Sequence, residues 1–141
     1  MKTASPMSAE EAVLLFAHGS RDPEWARPVE ALRTRIAGLT CARVDLAYLE
    51  YCAPTLAAAL AQMAGESIRR VHIVPVFIGQ GAHLRRDLPA LVDTARQAHP
   101  ELRIELLPAI GEQPEILEAI AHAIASRIPG EPSGTAPQQH K

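Results

Sequence analysis

Val13-Leu14-Leu15-Phe16-Ala17-His18-Gly19-Ser20-Arg21-Asp22-Pro23 carries a strand, a turn and a helix start in quick succession. The run Val13 to Ala17 is apolar without alternation, which suits a strand covered on both faces. It passes directly into His18-Gly19-Ser20-Arg21. Asp22-Pro23 then has the form of an N-cap followed by a first-turn proline. Pro28 would break a helix begun at Pro23, so the regular part is expected from Pro28, with Val29, Leu32 and Ile36 at helical spacing.

The same grammar repeats along the chain. Val71 to Ile78 is a second continuous apolar run, apart from His72. Two further strands alternate: Val44, Leu46 and Tyr48 against Arg43 and Asp45, and Leu102, Ile104 and Leu106 against Arg103 and Glu105. Charges on one face suit edge strands, so the first and third strands should be central, in the order 2-1-3-4. Pro54 opens an Ala-rich helix that closes near Gly65. Asp87 with Pro89 opens a third, expected to bury Leu88, Leu91, Val92 and Ala95. Pro114 opens the last, with Ile116, Leu117, Ile120 and Ile124 expected inward. The expected fold is α/β, a three-layer sandwich around a four-stranded parallel sheet.

Composition narrows the partners. The 141 residues fit one domain, expected over 12–128, between a flexible N-terminus at 1–11 and a disordered, Pro- and Gly-rich tail at 129–141. Lys plus Arg is 14 and Asp plus Glu is 16, a net charge of −2, which gives no electrostatic footprint for nucleic acid. No apolar run approaches the ~20 residues that span a bilayer, and Met1 to Glu11 shows no hydrophobic signal region. Cys41 and Cys52 form no CxxC pair, and neither suggests a disulfide framework. A cytoplasmic domain without membrane or nucleic-acid partners is expected.

An order of 2-1-3-4 puts the topological switch between strands 1 and 3, where ligands bind outside the carboxyl ends of the strands. His18-Gly19-Ser20-Arg21 leaves the first of these strands and Gly79-Gln80-Gly81-Ala82-His83-Leu84-Arg85-Arg86 leaves the other. Glu50, at the end of strand 2, adds a carboxylate to the same rim. Two imidazoles and a carboxylate can hold a first-row divalent metal or move protons, since free imidazole titrates at ~6.5. Glycines admit a bulky flat ligand close to the backbone, and arginines offer forked donors to carboxylates or phosphates. Blander roles compete: a His after a strand is more often a turn residue, Glu50 alone a solvated charge, and Arg85 and Arg86 a wet helix face. His72 fits a satisfied sheet histidine, and His99, His122 and His140 suggest no role. Cys41 and Cys52 read as packing residues, with Cys52 an outside candidate for a ligand. The dinucleotide fingerprint, the Walker A loop and the GxSxG elbow are all missing, and Ala17 stands where a histidine phosphatase would carry Arg.

Three segments in order, Ala17-His18-Gly19-Ser20-Arg21-Asp22-Pro23, Ala47-Tyr48-Leu49-Glu50-Tyr51-Cys52-Ala53-Pro54-Thr55, and Val74-Pro75-Val76-Phe77-Ile78-Gly79-Gln80-Gly81-Ala82-His83 followed by Asp87-Leu88-Pro89, resemble the sirohydrochlorin chelatases of the CbiX type. The likeness runs from about Val13 to Ile124. It implies a lyase that inserts Co(II) or Fe(II), with Ni(II) also admissible, into the tetrapyrrole sirohydrochlorin without ATP or an organic cofactor. The product would serve cobalamin or siroheme synthesis. The family's metal-facing histidines carry over to His18 and His83, and Glu50 matches its acidic residue. Ser20, Arg21, Gly79, Gly81, Arg85 and Arg86 would then contact the ring and its acetate and propionate groups. Class II chelatases have two such halves around a cleft; this chain has one and resembles the short form, which pairs as a homodimer. A non-enzymatic metal or tetrapyrrole carrier, and a phosphate-handling α/β enzyme using His18, stay open as alternatives.

Overall fold

The computed structural model describes residues 10–130 of the chain. Four strands, β1 (Glu11–Ala17), β2 (Arg43–Tyr48), β3 (Arg70–Pro75) and β4 (Arg103–Leu106), form one sheet in the order β2-β1-β3-β4. All pairings are parallel, with Ala17 opposite Tyr48 on one side of β1 and Phe16 opposite Pro75 on the other. The helices are α1 (Arg27–Ala37), α2 (Leu56–Ala64), α3 (Ala82–Ala98) and α4 (Pro114–Ala125), with 3-10 turns at Pro23–Ala26 and Ile110–Glu112. No described helix is long and apolar enough to cross a membrane. The expected tails lie mostly outside the described residues, as does His140.

Right-handed crossovers put α1 on the face opposite α2 and α3, because the chain moves one way from β1 to β2 and the other way from β2 to β3 and β4. The core lies under α2 and α3. Ala12, Leu14 and Phe16 of β1 and Val71 and Ile73 of β3 pack there with Leu56, Ala59, Leu60 and Met63 of α2 and Leu88, Val92 and Ala95 of α3. Each fully buried Leu, Val or Met in that set contributes about 1.5–3 kcal/mol. Local signals agree with this packing. Asp22 accepts a hydrogen bond from the Glu24 N–H ahead of Pro23, and the Thr55 hydroxyl caps α2 through the Ala58 N–H. The polar face of edge strand β2 is satisfied by Arg43, which pairs with Asp45 at 2.8 Å and with Glu66.

Four sequence expectations change. The strand expected to reach Ile78 ends at Pro75, although the Val76 N–H still donates to Phe16 O. Along β3 buried residues alternate with half-buried ones, because only the α2–α3 side is fully covered. Helix α3 begins at Ala82, not near Asp87, so Pro89 lies inside it and supplies no N–H to the Arg85 carbonyl. Burial outweighs the proline signal here: Leu84, Leu88, Val92 and Ala95 make a stripe that starts a turn earlier, and Gly81 is the cap. Leu91 lies outside that stripe and is 44 % exposed.

Helix α4 is the fourth change, and it has no buried residue. Leu117, Ile120 and Ile124, expected inward, are exposed, and Ile128 beyond the helix is exposed too. Its principal packing partner is the short Ile110–Glu112 turn, not the sheet. An amphipathic stripe in the sequence shows which residues could be buried together, but here no described element of the chain covers it.

Candidate functional site

The chain leaving β1 continues to pair with the chain leaving β2 beyond the last strand residues. The Leu49 N–H donates to Ala17 O at 2.8 Å, and the Glu50 N–H to His18 O at 3.0 Å. Gly19 sits at φ +91°, where L side chains are strained, and a Cβ there would lie 1.8 Å from the Glu50 carbonyl oxygen. Only glycine fits. The backbones of His18-Gly19 and Glu50 are thus in van der Waals contact, which fixes where both side chains begin.

Neighbouring groups hold this double turn in shape. The Ser20 hydroxyl accepts from the Asp22 N–H at 3.0 Å, so it shapes its own loop. Cys52 Sγ donates to Ser20 O at 3.3 Å and ties the two loops together. The Arg21 guanidinium lies 4.6 Å from the centre of the Tyr51 ring, a cation–π contact at the rim. Tyr51 itself is at φ 68°, an uncommon conformation for a bulky residue and one found disproportionately at functional sites. Trp25 stands edge-on to Tyr48 at 6.3 Å, and burial pushes the Tyr48 phenol above its ordinary range.

The second loop comes from β3. Phe77 is buried at the exit of that strand and meets Phe16 at 5.9 Å and the His18 ring at 4.7 Å, both edge-on. Ile78 is exposed beside it, and the chain passes through Gly79 and Gly81 into α3. Among the described residues, no atom beyond the chain neighbours lies within 4 Å of where a Cβ would stand on either glycine. His83 is on the first turn of α3, so it is helical and not in the loop. With Leu84, Asp87, Ala90, Leu91 and Thr94 it lines a groove of about 440 Å³ that Leu49 closes from the β2 side.

The sequence candidates therefore separate. His18 and Glu50 are joined through their backbones, and His83 shares a groove with Leu49, the neighbour of Glu50. Arg86 Nη2 is 3.5 Å from His83 Nδ1, the far limit of a hydrogen bond. Arg85 is elsewhere. At about 100° per residue it points away from His83, donates to Gln80 O at 2.9 Å, and lines a separate cavity of about 340 Å³ with Pro108 and Glu112. His18, His83 and Glu50 are all exposed. Among the described residues no three His, Cys, Asp or Glu side chains form a group that could hold a metal. The remaining described histidines are engaged structurally. His72 lies 2.9 Å from Glu11 and 3.3 Å from Glu105, His99 ends α3, and His122 faces Glu118 on α4.

A family model, CbiX, matches residues 12–127. The chain belongs to the CbiX family. A solved CbiX protein of cobalamin (vitamin B12) biosynthesis from Marinobacter aquaeolei VT8 superposes with a TM-score of 0.73 at 28 % identity, covering 83 % of this chain and 96 % of that one. The sirohydrochlorin chelatase SirB from Bacillus subtilis subspecies spizizenii, solved in complex with cobalt, shares the fold with a TM-score of 0.68 at 24 % identity; 83 % of this chain matches 50 % of that one. Proteins named sirohydrochlorin cobaltochelatase match in sequence. That of Methanopyrus kandleri is 32 % identical over 82 residues, 57 % of each chain. That of Saccharolobus solfataricus is 34 % identical over 80 residues, 57 % of this chain and 62 % of that one. The matched stretch thus spans less than two thirds of these relatives.

Sequence reasoning missed three residues that stand beside these candidates. Leu49 and Leu84 are groove walls, and their signal, an apolar residue at a rim, is too common to single out. Phe77 read as the continuation of a strand, although an aromatic ring beside a predicted ligand loop, in a chain with 4 % aromatics, was a usable hint.

The Gly19 contact makes a direct prediction. Gly19→Ala places a methyl into the Glu50 carbonyl at an unfavourable φ, and should cost about 1–3 kcal/mol or more in urea denaturation. The turn should also separate, read as faster amide exchange at Glu50. A substitution without effect on either would show that the two loops are not held by this contact.

Proposed function

We propose that the chain is a metal chelatase that inserts Co(II) or Fe(II) into sirohydrochlorin without ATP; its sequence relatives carry the name sirohydrochlorin cobaltochelatase. The observation that carries this reading is the placement of His18 and His83 beyond the carboxyl ends of the two central parallel strands, on either side of the sheet's switch point. The adjoining apolar groove suits the face of a flat macrocycle. Openness over Gly79 and Gly81 supports it too, because no protein packing requires glycine there and a ring could approach the backbone.

Insertion exchanges one M(II) for two pyrrole N–H protons. Neutral imidazoles at His18 and His83 would offer the metal a lone pair each and take up a proton as the metal passes to the ring nitrogens. Glu50, held beside His18 by the backbone pairing, would accept the other proton or act as a weak third ligand. An open site with two imidazoles suits an ion that must leave, since a closed cage would retain it. Arg21, beside Tyr51, and Arg86, beside His83, would pair with ring acetates and propionates. Arg85, turned into the other cavity, is not given that role. Ser20 would act through the shape of the loop. The metal is a substrate, and the setting is the cytoplasm.

We further propose a second copy of the chain as partner. Leu117, Ile120, Ile124 and Ile128 form an uncovered stripe, with Glu115 and Glu118 near its start and His122 and Arg127 towards its end. Two such helices packed antiparallel would set acidic start against basic end, the self-complementary arrangement of a two-fold dimer. Burying one exposed aliphatic side chain recovers at most about 1.5–3 kcal/mol. Association costs about 4–15 kcal/mol. Two copies would bury eight such residues, each already partly covered, so the gain is of the same order as that cost and helix pairing alone gives a weak, concentration-dependent dimer.

Two measurements test these readings. Absorbance of sirohydrochlorin mixed with Co(II) or Fe(II) should change faster with protein than without. His18→Ala or His83→Ala should lower that rate about 100-fold or more, and Glu50→Gln less, within the usual range for proton-transfer groups. Stoichiometric metal binding with an unmetallated ring would establish the carrier instead, and phosphate competition without metal dependence would point to the phosphate-handling enzyme. In sedimentation, Ile120→Glu should abolish the larger species seen at high protein concentration; an unchanged distribution would remove α4 as the interface.

A further inference from the structure

The turn after β4 makes a contact that the proposed reaction does not use directly. Leu107 N–H donates to Ile73 O, and the chain then passes beneath the loop leaving β3. Gly111 N–H donates to Phe77 O at 3.0 Å. A Cβ on Gly111 would lie 1.7 Å from Ile78 O, 2.4 Å from its carbonyl carbon and 2.6 Å from its Cα. Here backbone rests on backbone, and no flexible side chain could yield. The turn is itself braced: Ala109 is buried, the Glu112 N–H donates to Ala109 O at 2.8 Å, and the Gln113 side chain donates to Pro108 O at 2.8 Å. Phe77, which Gly111 holds, carries the ring that stands 4.7 Å from the His18 imidazole.

We infer that Gly111 is a positioning residue for His18, acting through the 77–78 peptide and the Phe77 ring. The inference deepens the chelatase reading and rests on it for the effect on rate, but not for the geometry. Any side chain at 111 must push Ile78 and Phe77 away from the turn, towards the imidazole or off it. Placement errors of about 1 Å can cost about 100-fold in rate, so a small shift is enough to matter. Sequence alone gave no warning, because Gly111 lies in a short turn far along the chain from either histidine.

The test uses proton NMR of the imidazoles together with the insertion assay. His18 ring protons in the full chain should carry a ring-current shift from Phe77, identified by its loss in Phe77→Leu. Gly111→Ala should move those protons, leave the His72 resonances in place, and lower kcat about ten- to hundredfold with KM for the ring little changed. Gly65→Ala is the control, because a Cβ there meets Gln62 O at an ordinary 3.6 Å, and it should change neither readout. Unmoved His18 signals in Gly111→Ala would overturn the inference, and so would equal displacement of His72, which marks general loosening. If Gly111→Ala does not fold, Phe77→Leu decides: a lower kcat with intact His72 signals supports the relay, and an unchanged kcat removes it. If the wild-type chain inserts no metal, the chelatase reading fails while the His18 shift still tests the positioning.

Discussion

Everything at the carboxyl edge of the sheet depends on how closely two backbones can approach. Gly19 lies against the Glu50 carbonyl oxygen, and the Leu49 and Glu50 N–H groups extend the β1–β2 ladder past the end of the strands. With any other residue at position 19 the loops would have to part, and His18 and Glu50 would no longer start from adjoining atoms. Gly111 does the corresponding service on the other side, against Ile78. The two histidines are exposed side chains with few contacts of their own. The starting point of the His18 side chain is therefore set by main-chain geometry, and the Phe77 ring then stands against its imidazole.

The uneven cover of the sheet connects stability to partnership. One face is closed by α2 and α3 over a continuous apolar cluster, and this is enough to hold four short strands. Helix α4 contributes little to it and leaves its own apolar stripe in contact with solvent. A second copy is the occupant proposed for that stripe, and the partly covered state of its aliphatic residues would keep the association weak.

Much of the fold was legible because parallel sheets write their topology into hydrophobicity. The continuous run Val13–Ala17 and the alternation Val44, Leu46, Tyr48 place strands at the centre and the edge without reference to tertiary contacts, and the order 2-1-3-4 follows. Helix bounds were less legible. Pro89 is a strong local sign of a helix start, yet the stripe Leu84, Leu88, Val92, Ala95 begins α3 earlier and puts His83 on a helix. That change of rotation also sends Arg85 away from the groove while Arg86 stays beside His83, a separation no spacing argument made from a loop could give. For α4 the periodicity was plain, but periodicity names an apolar face and not what covers it. The exit of His18 from β1 was readable from the strand end; the helical position of His83 was not, nor were the contacts of Phe77 and Gly111, which join distant segments.

The most direct test of the account is whether one metal ion meets both imidazoles. Histidine-labelled protein titrated with substoichiometric Mn(II), a paramagnetic stand-in for the proposed substrate ions, reports this by line broadening at each ring. His18 and His83 should broaden together while His72, His99 and His122 keep their intensity. Broadening of only one of the pair, or of His72 first, would contradict it.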